Sequence, residues 1–470
     1  MSKTGAVMES PALIASGGGP GLRQKMLRAG GWILSSNLAS QGLRLFSSLV
    51  LTRLLVPQAF GLMAAVQTLY FALVMFSDLG IWQSVVHRKK DLDARFLGTA
   101  MSLQLLRGGL LALAVLLLSI GLQVAAEHGA FTQGTVYTDP RLPWMMSVFA
   151  LSALMQGAES LHLATAQRDL RTGELVRLEL VSQFAGMVVT VGLALATRSV
   201  WSLVVGTLVA TGARTLLSHI VLRGAQVRPC WDAACRREIT GFGKWIFLSS
   251  LIGFAAAHGE KLILGATLSG TGFGIYFIAA ALLSALTGVV GTLNAHLIFP
   301  GLSAAIRQGD HEAARVYVRL QQAADVFLGL LAGLLFMAGR WLVVVLYDPR
   351  YVGAGWMLQV LGLGLLAMRY QVLEQLMFAK GQPHWVGASN ALRFASLLAL
   401  IPLGYTTAGE HGAVIAVAAS QFVGWPLALL FKHRLGLLSW RSEAAWPLAL
   451  TVGLAAGWLL DIVLNTIQGH

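Results

Sequence analysis

The sequence predicts an all-α membrane protein that crosses the bilayer many times. Of its 470 residues, 56% are hydrophobic and only 12% are charged, about half the charged fraction that is usual in soluble domains. Its apolar runs are long and lack the alternation of a strand. Because one crossing needs ~20 apolar residues, the chain has room for a dozen or more helices. This composition excludes a disordered chain, a coiled coil and an ordinary cytosolic enzyme.

The hydrophobic runs predict thirteen membrane spans in chain order. They cover residues 31–54, 60–86, 96–124, 142–165, 178–196, 200–222, 245–268, 275–299, 323–346, 355–379, 385–406, 412–431 and 445–466. An odd number of spans puts the C-terminus outside. The alternative for 445–466 is a peripheral or re-entrant helix, which leaves the side of the C-terminus open.

The basic residues between the spans predict the orientation. With the N-terminus inside, nearly all Lys and Arg of the connections fall on the inner side, and the outer side holds Arg141, Arg198 and Arg350. Cytoplasmic loops of membrane proteins carry such an excess of Lys and Arg. The first thirty residues have no short apolar core followed by a cleavage site, so no cleaved signal peptide is expected. The sequence therefore predicts a cytoplasmic N-terminus.

The connections are too short to hold a catalytic domain, and none contains a nucleotide-binding P-loop motif. Cys230 and Cys235 are the only cysteines, and they lie in one inner loop without further ligands at metal spacing. We therefore expect no metal site, no disulfide and no cofactor, and a transporter rather than an enzyme.

A short internal repeat divides the chain. Phe60-Gly61-Leu62 and Phe273-Gly274-Ile275 each open an outward-to-inward helix, and six spans separate them. This predicts two six-helix lobes related by a pseudo-two-fold axis along the membrane normal, with substrate between them; chance similarity is the alternative. The predicted parts are a cytoplasmic flexible tail (1–30), an N-terminal lobe (31–222), a linker (223–244), a C-terminal lobe (245–434) and an extra hydrophobic segment (435–470).

Charged residues inside the spans predict a water-filled cavity, because an uncompensated charge at the bilayer centre costs ~2.5–3.5 kcal/mol. Several of the cations lie on polar helix faces with a period near 3.6. These faces comprise Asn37, Gln41, Arg44 and Ser48; Thr207, Thr211, Arg214 and Ser218; Gln104 and Arg107; and Asn390 and Arg393. The alternative for each face is hydrogen bonding between helices.

Arginine suits a phosphate ligand, since its planar fork of donors stays charged in a poorly solvated site. We therefore expect a central cationic cavity that binds an anion such as a pyrophosphate. The predicted pyrophosphate ligands are Arg44, Arg107, Arg214, Lys261, Arg369 and Arg393, and the predicted polar lining is Asn37, Gln41, Thr211 and Asn390.

Carboxylates inside the spans suggest ion coupling, because a partly buried carboxylate can carry protons across the membrane. The candidates are Asp78, Glu159, Glu260 and Glu374, coupled to H⁺ or Na⁺. The alternative for each is a structural salt bridge to a neighbouring cation.

The sequence also resembles a known family. The stretches GWILSSNLASQGLRLFSSLVLTRLLVPQAFGLMA, FSDLGIWQSVVHRKKD, EKLILGATLSGTGFGIYFIAAALL, HLIFPGLSAAIRQGD and LYDPRYVGAGWMLQVLGLG are similar in order and spacing to bacterial lipid-linked oligosaccharide flippases. These Wzx-like polysaccharide exporters belong to the multidrug/oligosaccharidyl-lipid/polysaccharide superfamily. The resemblance spans about residues 30–435. Family members commonly have twelve or fourteen spans, so the predicted thirteen departs from the pattern.

The resemblance implies two facing six-helix lobes and a function. Such proteins move undecaprenyl-pyrophosphate-linked sugar repeat units across the bacterial cytoplasmic (inner) membrane for O-antigen, capsule or exopolysaccharide assembly. The implied partners are the lipid-linked oligosaccharide, membrane lipids and the polysaccharide polymerase and export machinery, with no nucleic acid. The alternatives are a cation-coupled multidrug exporter of the same superfamily and a membrane-embedded glycosyltransferase or polymerase.

Overall fold

The structure is a computed structural model that describes residues 22–88, 92–222, 227–439 and 443–468. Most of the predicted N-terminal tail, residues 1–21, therefore lies outside the described residues. The same holds for 223–226 in the predicted linker and for 440–442 and 469–470 near the C-terminus.

Helices account for nearly all of the described chain, which confirms the predicted all-α class. The helices of the first half are α1 (Leu22–Leu54), α2 (Pro57–Phe76), α3 (Ile81–His87), α4 (Ala94–Glu127), α5 (Arg141–Gly157), α6 (His162–Arg168), α7 (Thr172–Thr197) and α8 (Trp201–Ile220).

The second half begins with one long helix and continues through several broken ones. Its helices are α9 (Ala233–Thr267), α10 (Gly270–Leu293), α11 (Phe299–Gln308), α12 (Asp310–Leu346), α13 (Ala354–Gly362), α14 (Gln371–Ala379), α15 (Pro383–Ser420), α16 (Trp425–Arg434) and α17 (Ala445–Gln468). A π-helical turn over Asn294–Ile298 joins α10 to α11, and a 3₁₀ segment over Leu363–Tyr370 joins α13 to α14.

Every predicted span lies mostly on helical chain, and the protein is a multi-pass membrane protein. Nine helical segments of the described residues are long and apolar enough to cross a bilayer, and one of them, 383–434, holds two predicted spans. The remaining predicted spans, 31–54, 142–165 and 245–268, lie on α1, α5–α6 and α9. These helices fall outside the nine segments, and α5 has only 17 residues.

Two predicted spans of the first half are broken near their C-terminal ends. Between α2 and α3 the Asp78 carboxylate accepts a hydrogen bond from the Gly80 backbone nitrogen at 2.9 Å. Gly80 has a φ of +69°, which a residue without a Cβ adopts readily. The second break, at residues 158–161, separates α5 from α6 and carries Glu159. Both breaks therefore place an acidic residue of the membrane region at a helix end.

The repeat-related glycines pack against each other where the two halves of the chain meet. A Cβ on Gly61 of α2 would lie 2.7 Å from the Gly270 carbonyl oxygen and 3.0 Å from the Gly274 nitrogen. A Cβ on Gly274 of α10 would clash with the Pro57 carbonyl. Because neither position has room for a side chain, the backbones of α2 and α10 are in direct contact.

Helix α9 starts at Ala233, well before the predicted span at 245 and inside the predicted linker. The cause is a helix cap, since the Asp232 carboxylate accepts bonds from the Ala234 and Cys235 nitrogens, both at 2.9 Å. Asp is among the preferred N-cap residues. The first turns of α9 pack on the first half, where Glu238 bonds Arg88 at 3.0 Å.

The last helix, α17, packs along the whole second half of α12, so the thirteenth span is part of the bundle and not a peripheral helix. The contacts pair Gly329 with Ala449, Gly333 with Gly453, Met337 with Gly457 and Trp341 with Asp461. The numbering offset stays constant over twelve residues, which is ~18 Å of helix. The two helices are therefore parallel, and their glycines let the backbones approach closely.

Candidate functional site

A cavity of about 460 Å³ lies within the second half of the chain. Its walls come from α9, α10, α14, α15, α16 and the 3₁₀ segment before α14. All of its lining residues follow position 256 in the sequence. The sequence predicted a central cavity between the two lobes, so this cavity lies elsewhere than expected.

Five predicted site residues meet at this cavity. They are Glu260, Lys261, Glu374, Asn390 and Arg393. Two cations therefore face two carboxylates, and the lining is charge-balanced apart from His258. The sequence predicts an anionic ligand for the cations and ion coupling for the acids, whereas in the structure both line one space.

Aromatic and amide side chains that were not among the predicted site residues also line the cavity. Trp385, Trp425, Tyr276 and Gln371 all line it. These residues come from four different elements, so no helical period connects them. The only sequence signal for this lining is the presence of aromatic residues near a polar stripe. Such residues are common in the apolar helices of any membrane protein, so they do not identify a site.

The polar face of α1 lies against the second half. Asn37 donates to the Thr292 hydroxyl at 2.9 Å, and the Gln41 amide nitrogen lies 2.7 Å from the place a Cβ on Gly288 would occupy. Further along, the Ser48 and Tyr347 hydroxyls are 3.4 Å apart. Asn37 and Gln41 thus make contacts between helices, which was the alternative considered for this face.

Arg44 lies on the same face of α1, between these contacts. It is exposed, and it makes no hydrogen bond or ion pair that the structure records among the described residues. Its neighbours on both sides, Gln41 and Ser48, touch the second half, so Arg44 lies on the face of α1 that contacts this half. Among the six predicted cations, Arg44 has the environment that most resembles an open anion site.

Arg369, which the sequence predicted as a pyrophosphate ligand, does not line this cavity and lies in a buried ion-pair cluster. Its Nε and Nη2 atoms bond the two carboxylate oxygens of Asp325, both at 2.7 Å, and its Nη1 bonds Glu443 at 2.7 Å. The Arg369 side chain is 1% exposed. Lys432 pairs with Glu443 as well. Two cations and two carboxylates therefore form a buried, neutral cluster that has no capacity left for a substrate phosphate.

Arg107 is half-buried and holds the break between α2 and α3. It donates to the Ser77 hydroxyl at 3.1 Å and to the Val74 carbonyl at 3.0 Å. Asp78, in the same break, caps Gly80. Arg107 and Asp78 thus stabilise the local backbone. The sequence predicted Arg107 as a phosphate ligand and Asp78 as an ion carrier. The tripeptide Asp78-Leu79-Gly80 is a turn signal that sequence analysis can recognise.

Arg214 is shared between two carboxylates. It lies 3.2 Å from Glu159 and 3.2 Å from Glu179. Thr211, one turn earlier, donates to the Thr207 carbonyl of its own helix at 3.0 Å, so it is partnered within α8. Glu179 was outside the predicted set because it lies at the edge of a span. The group carries one more negative than positive charge.

Glu443 takes part in the buried cluster of Arg369 from the connection before α17. Burial acts to raise the pKa of Glu443, but the bond from Lys432 and the charge of Arg369 outweigh burial and hold this pKa below its usual value. The carboxylate is therefore charged in the folded protein and joins the start of α17 to the 3₁₀ segment before α14, through Arg369, and to α16, through Lys432.

The sequence matches a family model described as a polysaccharide biosynthesis protein over residues 50–380. Lipopolysaccharide biosynthesis protein WzxC of Escherichia coli K12 is 23% identical over 422 residues, which is 88% of this chain and 82% of that protein. An uncharacterized membrane protein in the cps region of Klebsiella pneumoniae is 22% identical over 419 residues, 87% of this chain and 82% of that protein.

Two solved structures share the fold. Lipid II flippase MurJ in an inward closed conformation has a TM-score of 0.61 at 10% identity, over 93% of this chain and 100% of that chain. An inward-facing multidrug resistance MATE family transporter of the MOP superfamily has a TM-score of 0.61 at 11% identity, over 90% and 98% of the chains. At these identities the likeness establishes the fold alone.

Proposed function

The chain belongs to the polysaccharide biosynthesis protein family of Wzx-like flippases, and from this premise we propose that it moves a lipid-linked oligosaccharide across the bacterial inner membrane. The lipid carrier is undecaprenyl pyrophosphate, and the product feeds O-antigen, capsule or exopolysaccharide assembly. Relatives named for lipopolysaccharide biosynthesis and for the cps region support this class of substrate. The protein acts as a transporter and makes or breaks no covalent bond.

The single observation that carries the proposal is the position of Arg44. It is an exposed guanidinium on a helix face whose other residues, Asn37, Gln41 and Ser48, touch the second half. A charged side chain in a membrane span is costly unless it faces water or a ligand. A diphosphate between the halves would accept bidentate bonds from it. Arg44 is therefore our proposed headgroup ligand.

The other predicted cations divide by their surroundings. Arg369 is neutralised by Asp325 and Glu443, and we withdraw it from the substrate site. Arg107 holds a helix break, so it supports the first half. Lys261 and Arg393 line the cavity in the second half together with two carboxylates. There they bind the uncharged part of the substrate, the sugars.

Ion coupling is proposed for the group formed by Glu159, Glu179 and Arg214. One guanidinium that lies 3.2 Å from each of two carboxylates leaves one negative charge that H⁺ or Na⁺ would compensate. Glu159 lies at the break between α5 and α6. A small change in backbone geometry there would alter the distance between Glu159 and Arg214. Loss of flipping when the proton or sodium gradient is collapsed in membrane vesicles, one ion at a time, tests this assignment.

Alternating access between two lobes completes the proposal, with the boundaries 31–222 and 245–434 that the repeat predicts. The direct contact of Gly61 with Gly274 supports a pivot at which the halves meet. In the cell, the polysaccharide polymerase and export machinery would take over the flipped lipid.

Leaflet-resolved detection of the lipid-linked oligosaccharide in a deletion strain tests the function. The expected result is accumulation on the cytoplasmic face, reversed by a plasmid copy of the gene. A normal distribution between the leaflets in the deletion strain would overturn the proposal. Increased drug resistance on overexpression, with lipid distribution unchanged, would instead establish the multidrug exporter.

A further inference from the structure

The 460 Å³ cavity of the second half contains buried hydrogen-bond donors without acceptors. The Arg393 Nε and the Trp425 Nε1 atoms are both buried and have no hydrogen-bond partner within the described structure, and both residues line the cavity. Buried polar groups in folded proteins are nearly always paired. Two unpaired donors at one cavity therefore point to a ligand that supplies acceptors.

The same cavity offers acceptors and neutral amides. Glu260 and Glu374 line it together with Lys261 and Arg393, which gives equal numbers of cations and carboxylates. Asn390 and Gln421 also reach it. A diphosphate would meet two carboxylates here, and a metal cation would meet two basic side chains. A neutral ligand that both donates and accepts hydrogen bonds avoids both conflicts.

A sugar has this chemistry, because each hydroxyl is a donor and an acceptor at once. The indoles of Trp385 and Trp425 give the apolar faces on which the CH groups of a pyranose ring pack. The volume of about 460 Å³ lies within the range of ~300–1,000 Å³ that is typical of small-ligand pockets.

The position of the cavity relative to α1 connects it to the proposed headgroup site. Asn37 meets Thr292 and Gln41 meets Gly288, so α1 and α10 run antiparallel in this register. The next turn of α1 carries Arg44. In the same antiparallel register, the turn of α10 opposite Arg44 carries Ser284 and Thr287. Both of these hydroxyl residues line the cavity, so Arg44 is adjacent to its α10 wall.

We infer that this cavity is a carbohydrate subsite that receives sugar residues of the lipid-linked oligosaccharide while Arg44 holds the diphosphate. The inference rests on the proposed function. Asn390 is a specificity-determining ligand for sugar hydroxyls, and Arg393 donates to them from the same helix. Sugar selection therefore occurs in the second half of the chain, apart from the recognition of the diphosphate.

Binding measurements on the purified full-length protein in nanodiscs test this inference. The probes are undecaprenyl diphosphate without sugar and the undecaprenyl-diphosphate-linked oligosaccharide extracted from the deletion strain. The variant is Asn390→Ala, because the structure records no hydrogen bond of this amide to the described residues and its loss leaves the fold intact. The matched control is Ser396→Ala on the same helix, whose hydroxyl bonds the Arg393 carbonyl at 2.7 Å.

Asn390→Ala is expected to weaken binding of the sugar-bearing lipid about tenfold and to leave binding of the sugar-free lipid unchanged, whereas Ser396→Ala changes neither. Equal affinities of the wild type and Asn390→Ala for the sugar-bearing lipid would overturn the subsite, and so would equal weakening of both lipids. Failure of the wild type to bind either lipid would overturn the proposed function instead. An effect of Asn390→Ala on ion dependence alone would make the cavity an ion site and also refute the inference.

Discussion

The guanidinium of Arg369 and the carboxylate of Asp325 form a two-bond ion pair, with both bonds at 2.7 Å, in which neither side chain is more than 1% exposed. Gln321 donates a further bond to Asp325 at 2.8 Å, and Tyr317 donates to Gln321 at 3.1 Å. The arrangement joins α12 to the 3₁₀ segment before α14. The charged groups of this cluster are all paired with one another. The cluster is therefore structural and is not part of the substrate path.

Arg369→Ala is expected to destabilise the protein, because removing one member of a buried ion pair leaves a charge uncompensated and costs ~3–5 kcal/mol. The measurement is the thermal unfolding midpoint in detergent, together with the protein level in membranes. Arg53→Ala is the control, since Arg53 has an exposed side chain near the C-terminal end of α1. A stable Arg369→Ala protein that has lost only transport would contradict the structural role.

Gly274→Ala is expected to destabilise the contact between the halves, because the new methyl group would meet the Pro57 carbonyl. Overpacking of this kind costs ~1–3 kcal/mol. Gly291→Ala on the same helix is the matched control, as nothing lies within 4 Å of a Cβ there. The unfolding midpoints of the two variants are compared. Equal midpoints would show that α2 and α10 do not pack as closely as described.

The Glu443 pair is expected to stabilise the protein in a pH-dependent way. Burial opposes ionisation, but Lys432 and Arg369 hold the pKa of Glu443 below its usual 4.5. Since the folded-state pKa is lowered, this stabilisation is complete above pH 4.5 and is lost as the pH falls through the lower folded-state value. The difference in unfolding midpoint between wild type and Glu443→Gln should therefore shrink below pH 4.5. A constant difference down to pH 3 would argue against a charged Glu443.

The parallel packing of α12 and α17 leads to a prediction about topology. If the N-terminus is cytoplasmic, α12 runs from inside to outside, so α17 does the same and the C-terminus lies outside. Alkaline phosphatase fused after residue 470 is then expected to be active, and the same enzyme fused after Arg434 inactive. Inactivity of both fusions would place α17 on the inner surface, and activity of the Arg434 fusion alone would show the reverse orientation.

Much of the fold follows from hydrophobic runs, whereas the pairing of charges does not. All thirteen predicted spans lie on helices, because apolar length is a local property of the chain. The partner of Arg369 is 44 positions away in the sequence, and Glu443 comes from a connection between spans. A helical period identifies the face of a side chain but not the residue that meets it.

The polar stripes identified helix faces, and their assignment to an anion stays a prediction. Asn390 and Arg393 share a helix face and do line a cavity. Their stripe gave no sign of Glu260 and Glu374, which come from α9 and α14 and balance the charge. Arg44 was identified by its stripe because the face of α1 that carries it is uniformly polar.

The most direct test of the account is leaflet-resolved flipping by Arg44→Ala in the deletion strain, at wild-type protein level and beside Arg53→Ala. Loss of charge-assisted bonds worth ~1.5–3 kcal/mol predicts that Arg44→Ala flips the lipid-linked oligosaccharide roughly tenfold more slowly or worse. Arg44→Lys should recover part of the rate, because it restores the charge without the planar fork, and Arg53→Ala should match the wild type. Normal flipping by Arg44→Ala would contradict a diphosphate site on the polar face of α1.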